Sequence, residues 1–186
     1  MILGIVANVG LLISWALFLL YILRRKGVSL LIGASSGILG IFALLFLIRI
    51  ILFGELGITF SEWTDKIIVG PVLEECSKLS VILVLMFIGM RREKSKTDSL
   101  GPDVGPAVGL GFAFLENFGH AANVQTVLLR GGPGWILHVG TAALLSYHIV
   151  FLMRTNRSFV WTILILLSTI LIHSGFNAIV LVLGFG

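Results

Sequence analysis

Six apolar stretches run almost end to end through this chain: Ile2–Leu23, Val28–Phe53, Ile67–Met90, Val104–Leu129, Trp135–Met153 and Phe159–Leu183. A helix rises 1.5 Å per residue, so about 20 apolar residues cross a hydrocarbon layer of about 30 Å. Six such runs joined by short connections predict an all-α, polytopic transmembrane bundle in which sequential helices are neighbours. The chain is 58% hydrophobic and 12% charged, with a mean hydropathy of +1.09. A soluble domain has roughly 25% charged residues. The expected organisation is therefore a single transmembrane domain over residues 1–186, with almost nothing left for a soluble one. The first run is too long for a signal-peptide core and lacks a convincing cleavage site, so it reads as a retained span.

Charge sets the expected orientation. Arg24, Arg25 and Lys26 follow the first span, Arg91, Arg92, Lys94 and Lys96 the third, and Arg154 and Arg157 the fifth. The intervening loops hold Lys66 among Glu55, Glu62 and Asp65, and Arg130 alone. Basic loops face the cytoplasm, which predicts that both termini lie outside. The net charge of +4 sits in these short clusters and does not point to nucleic acid. Trp63 and Trp135 would mark the outer interface, and Tyr21 and Trp161 the inner one. Glu55–Lys66 is too polar to span; Ser61 could cap a helix from Glu62, or the segment could lie flat on the outer surface. Cys76 is the one cysteine, so no internal disulfide forms; it reads as a small apolar filler.

Within this apolar background, Glu74, Glu75 and Lys78 fall inside the third span. A charge at mid-bilayer costs at least ~3 kcal/mol, and adjacent carboxylates disfavour each other's ionisation. Lys78 reaches Glu74 at i+4 or Glu75 at i+3, so one glutamate can be paired while the other stays free to act. Counted from the expected outer end, the pair lies roughly 10–13 Å deep. Glu116 on the fourth span, His138 near the outer start of the fifth, and His173 with Asn177 on the sixth come to similar depths. Polar groups at membrane depth face the bundle interior or water, so the convergence predicts one shared cavity in the outer half of the bilayer.

The chemistry open to such a set is narrow. A carboxylate can deprotonate water, histidines can hold a metal or stabilise an oxyanion, and an asparagine amide can donate to the same oxyanion. Water-activated hydrolysis of an amide uses all of these roles. Two histidines and a glutamate, here His138, His173 and Glu116, would suit catalytic zinc. A small proton- or ion-coupled transporter could use the same groups, but it should continue them to the inner face. There the sequence offers little beyond His148, Ser35 and Ser36. A non-catalytic membrane scaffold is the blandest alternative.

These residues resemble a known family. Glu74-Glu75-Cys76-Ser77-Lys78 is similar to the EExxK motif of PrsW-type intramembrane proteases. Phe112 to Glu116, followed by Asn117, looks like their FxxxE motif, and His173 with Asn177 is similar to their third motif, where Asp often stands in place of Asn. The resemblance spans the motif-bearing core, residues 67–183. The related type II CAAX prenyl endopeptidases carry EExxxR, FxxxH and HxxxN; Lys78 and Glu116 favour the PrsW branch. The resemblance implies a prokaryotic plasma-membrane endopeptidase acting on membrane-anchored proteins, among them anti-sigma factors in relatives. It also implies Glu74 or Glu75 as base. Alignment with the CAAX enzymes favours Glu74 as base and Glu75 as partner of Lys78, with Glu116, His138, His173 and Asn177 orienting water, metal or oxyanion.

Other polar or small residues have plainer readings. Gly33-Ala-Ser-Ser-Gly37 is similar to the GxSx serine of rhomboid proteases, but its depth is wrong for pairing with His173, and it reads as a small-residue packing face. Gly105 and Gly109 read the same way. Arg49 is expected to snorkel to the outer interface.

Overall fold

The computed structural model describes residues 40–92 except 42, 103–119, 130–155 and 158–183, together with Ile13 and Leu17. The expected first span, the start of the second with Ser35 and Ser36, the outer part of the fourth and residues 93–102 lie outside the described residues. Those described are overwhelmingly helical, and no strand occurs among them.

The second run ends in a π-helical turn, Ile50–Glu55. Helix α1 (Glu62–Thr64) follows, capped by Ser61, whose hydroxyl accepts from the Thr64 amide at 3.1 Å. A cap of this kind satisfies an otherwise orphaned first-turn N–H. The chain then passes through a π-helical stretch, Asp65–Val69, into α2 (Gly70–Arg92). Helix α3 covers Val104–Gly119, and a second π-helical stretch, Arg130–Gly134, leads into α4 (Trp135–Thr155). Pro133 lies within that stretch and brings no N–H to it. Helix α5 spans Val160–Val182.

Two stretches, Gly132–Thr155 and Val160–Val182, are long and apolar enough to cross a membrane, and Val104–Glu116 is a shorter apolar helix. Their faces are unlike. The buried residues of α4, namely His138, Thr141, Ala142, Leu145, Ser146 and Ile149, recur at three- and four-residue spacing along one stripe. Helix α5 buries Thr162, Thr169, His173 and Val180, while Leu164, Leu167, Leu171 and Ile179 point outward and are about half exposed or more. Apolar surface this continuous is unfavourable in water and natural against lipid.

Helix α2 touches α3, α4 and α5, so its polar residues meet all three. Helix α3 lies close along α4 because two glycines allow it. A Cβ at Gly105 would collide with the Ala142 carbonyl and the Ser146 hydroxyl, and one at Gly109 with the His138 carbonyl. This close approach sets Phe112 beside His138. Below the polar residues, Ile82, Met86, Val104, Val108, Leu145 and Ile149 form an apolar core with Ile41.

Candidate active site

Helical periodicity points the first turns of α2 at the bundle interior, which brings Glu75 and Lys78 onto one face. Lys78 Nζ lies 2.6 Å from Glu75 Oε1, and both side chains are fully buried. A buried ion pair holds only when its geometry and remaining hydrogen bonds offset the loss of water. Here they are supplied from two other helices. Glu75 Oε1 also accepts from His173 Nδ1 at 2.9 Å and from the Thr141 hydroxyl at 3.3 Å. Lys78 donates to His138 Nδ1 at 2.8 Å, and its ammonium stands 4.8 Å from the centroid of the Phe112 ring, a cation–π distance.

These bonds fix the two imidazoles. Glu75 takes the Nδ1 proton of His173, leaving the Nε2 lone pair of His173 facing Glu74 Oε2 at 3.6 Å. Because Lys78 donates to Nδ1 of His138, the proton of that ring sits on Nε2 and is donated to Glu116 Oε2 at 2.5 Å. The two rings meet edge to face with centroids 4.9 Å apart.

The cluster is closed on one flank and open on the other. Glu75 and Lys78 are sealed, and His138 and His173 nearly so, whereas the side chains of Glu74 and Glu116 stay 18% and 17% exposed. The second oxygen of Glu75, Oε2, is buried with no hydrogen-bond partner among the described residues.

Glu74, His138 and His173 each offer one ligand atom, and the three atoms lie within 4.8 Å of one another. Two imidazole nitrogens and a carboxylate oxygen are a donor set suited to a divalent metal such as zinc. The Glu75–His173 bond is the outer-shell carboxylate–histidine contact that orients a metal-binding imidazole. The residues present fit a metal on condition that His138 gives up one of its two bonds, to Lys78 or to Glu116, to free a lone pair. The carboxylate in this group is Glu74; Glu116, named with the two histidines from the sequence, bonds His138 Nε2.

The one hydrogen bond seen for Asn177 goes to a backbone group rather than to the cluster. Its amide donates to the Lys66 carbonyl at 2.9 Å, tying α5 to the π-helical stretch ahead of α2. Arg49, expected to snorkel, forks onto Asp65 with bonds of 3.3 and 3.4 Å. Thr141 has a place in the site that the sequence did not bring forward. Its signal was the i+3 spacing from His138, which puts both on one face of α4.

Carboxylates, imidazoles and a buried lysine, brought together by four helices with lipid-compatible outer faces, define a class: a membrane-embedded hydrolase with a metal-type donor set. The family model for the PrsW family of intramembrane metalloproteases matches residues 26–186. The chain belongs to this family, and is thus a membrane protein and an intramembrane metalloprotease. No curated protein and no solved structure shows a significant match to it.

Proposed function

We propose that this protease hydrolyses peptide bonds of membrane-anchored proteins at a site in the outer half of the bilayer of a prokaryotic plasma membrane, with Glu74, Glu75, Lys78, Glu116, His138 and His173 as its working residues. The observation that carries the reading is the division of labour between two neighbouring glutamates: Glu75 is buried under three donors, while Glu74 is partly open and faces the Nε2 lone pair of His173.

In this reading Glu74, His138 and His173 would hold a divalent metal, with zinc as the leading candidate, His138 exchanging one of its bonds to Lys78 or Glu116 for the metal. A metal there supplies a Lewis acid for water and for the scissile carbonyl. Glu75 holds the His173 ring in register through Nδ1. Lys78 neutralises Glu75 and holds His138. Glu116, beside His138 and open to water, is placed to take the proton from the attacking water and return it to the leaving amine. Alignment with the CAAX enzymes gave the base to Glu74; the 3.6 Å approach of Glu74 to His173 instead supports grouping it with the ligands. Asn177 serves the site by holding the backbone at Lys66.

The outer-half placement rests on the basic loops after the first, third and fifth spans, on six spans with both termini outside, and on α2 entering the bilayer from its Glu74 end. The apolar core beneath the cluster, with Ile82, Met86, Leu145 and Ile149, favours an enzyme open on one side over a transporter needing a polar path through the membrane. Anti-sigma-factor-like proteins with a single span are the substrate class this orientation would suit.

The test is cleavage of a single-span reporter by purified protein in lipid. Glu74→Gln and Glu116→Gln should each lower the rate by about 10²–10⁴-fold, the usual range for losing acid–base catalysis, with the fold intact. Wild-type rates in both variants would sink the assignment.

A further inference from the structure

Pro71 is buried and lies well inside the helical run that starts at Glu62. A proline there brings no N–H, and its ring crowds the carbonyl four residues back, here that of Ile67. In membrane helices such a break is absorbed by a local π adjustment and by donors from neighbouring helices. Both are present. The π-helical stretch Asp65–Val69 runs directly up to Gly70-Pro71. In a π-helix each N–H reaches back five residues instead of four, and Gly70 does so, donating to the Asp65 carbonyl. The Lys66 carbonyl is then left over. Gly70, its α-helical donor, is turned to Asp65, and Pro71, its π-helical donor, has no hydrogen to give. Asn177 of α5 fills the place with its side-chain amide at 2.9 Å. One residue earlier, the Asp65 carboxylate takes the two bonds from Arg49 of the second run. Consecutive residues of the π stretch are thus pinned from two different helices.

This collar lies against the site. A Cβ placed on Gly70 would stand 3.1 Å from the Asp65 carbonyl oxygen, 3.8 Å from Glu74 Oε1 and 4.0 Å from Arg49 Nη2. From this geometry we infer that Pro71 and Asn177 are positioning residues for the hydrolytic site. Pro71 strips the Lys66 carbonyl of its helical donor, Asn177 replaces it, and the π turn so held sets the rotation of α2. That rotation decides which of two neighbouring glutamates faces the open flank. One residue along an α-helix is a turn of about 100°, which is the angle between Glu74 and Glu75. Closing the π turn into an α turn is a change of the same kind, one residue in register. The collar therefore lets contacts from α5 and the second run, rather than α2 alone, choose the exposed carboxylate. The inference deepens the reading above, in which Asn177 holds the backbone at Lys66, and rests on it for the cleavage readout. Neither residue touches the reacting atoms; both act through Glu74.

Pro71→Ala in the full chain, purified in lipid, is the direct test. It returns an N–H, so the Lys66 carbonyl gains a helical donor and the turn can close as α-helix, which alanine favours over proline. Melting temperature should hold or rise while cleavage of a single-span reporter falls by about 10–10²-fold, the scale on which a misplacement of about 1 Å slows a reaction. A proline that does nothing but kink the helix predicts a stabler variant cleaving at the wild-type rate, and that result would overturn the inference. Asn177→Leu removes the other half of the collar and should lower both rate and melting temperature. In the Pro71→Ala background the carbonyl no longer depends on Asn177, so Asn177→Leu should add little to either. Additive losses of melting temperature would overturn the inference whether or not the reporter is cut. The two readings fail separately. Coupled melting temperatures in a protein that cuts no reporter keep the collar and remove the proteolysis, whereas full cleavage by Pro71→Ala does the reverse.

Discussion

The two flanks of the polar cluster are made from the same residue types and behave differently. On the closed flank, Glu75 and Lys78 are fully buried and hold each other at 2.6 Å, with His173, Thr141 and His138 completing their bonds. On the open flank, Glu74 and Glu116 each approach one imidazole and keep part of their side chains exposed, although Glu74 Oε2, the oxygen facing His173, is itself buried. Adjacent positions on one helix have thus become a sealed, ion-paired glutamate and a partly exposed one. Burial separates the two: a carboxylate with three donors on one oxygen is a poor base and a good anchor, while one with an exposed edge is better placed to meet water and a metal.

If this contrast is right, the two flanks should fail in different ways. The largest effect expected is on rate. Glu74→Gln or Glu116→Gln should reduce cleavage of a membrane-anchored reporter by about 10²–10⁴-fold with little change in melting temperature. The next is on stability. Lys78→Met leaves Glu75 as an uncompensated buried charge, which typically costs about 3–5 kcal/mol, and thermal unfolding in detergent should show it. Combining Lys78→Met with Glu75→Gln should recover part of that loss; a fully additive double variant would mean that the two side chains are not coupled. Thr141→Val removes a 3.3 Å hydrogen bond from the anchor and should cost about 1 kcal/mol, well below Lys78→Met in the same assay.

The smallest effect belongs outside the cluster. Lys66 holds the carboxyl of Glu62 below the usual carboxylate range through a 2.7 Å bond and its charge. A group whose value is lowered by folding contributes stability above its ordinary value of 4.5, and loses it as pH falls through the lowered one. Glu62→Gln should therefore leave stability at neutral pH almost unchanged and flatten only the acid limb of a melting-temperature profile. A large loss at neutral pH would show that α1 supports the site more than its exposure implies.

Much of the arrangement was legible beforehand because hydrocarbon is so unforgiving. Ionisable groups inside apolar runs had to face inward, and helical rise put Glu74, Glu75, Glu116, His138 and His173 at similar depths. The i+3 spacing allowed Lys78 to pair with Glu75, and the small-residue face of Gly105 and Gly109 marked a close helix contact. The split between the two glutamates was not legible from spacing alone, since it depends on how α2 is rotated against α4 and α5. Thr141 stayed hidden because a threonine in an apolar helix is ordinary interhelical glue. The π-helical stretch at Asp65–Val69 left no mark because its composition does not differ from an α-helical end, and Arg130–Gly134, with three glycines and a proline, reads as a loop. Asn177 was grouped with His173 by its i+4 spacing, yet its amide turns to the Lys66 carbonyl, a partner 111 residues away in the chain.

The central claim is that Glu74, His138 and His173 hold a catalytic metal at the open flank. Metal content and X-ray absorption on the purified, lipid-embedded protein test it most directly. The account predicts about one equivalent of a divalent metal, with imidazole nitrogens and a carboxylate oxygen in its shell, lost in His138→Ala and in His173→Ala together with cleavage. Metal-free protein that cleaves the reporter at the full rate would contradict it.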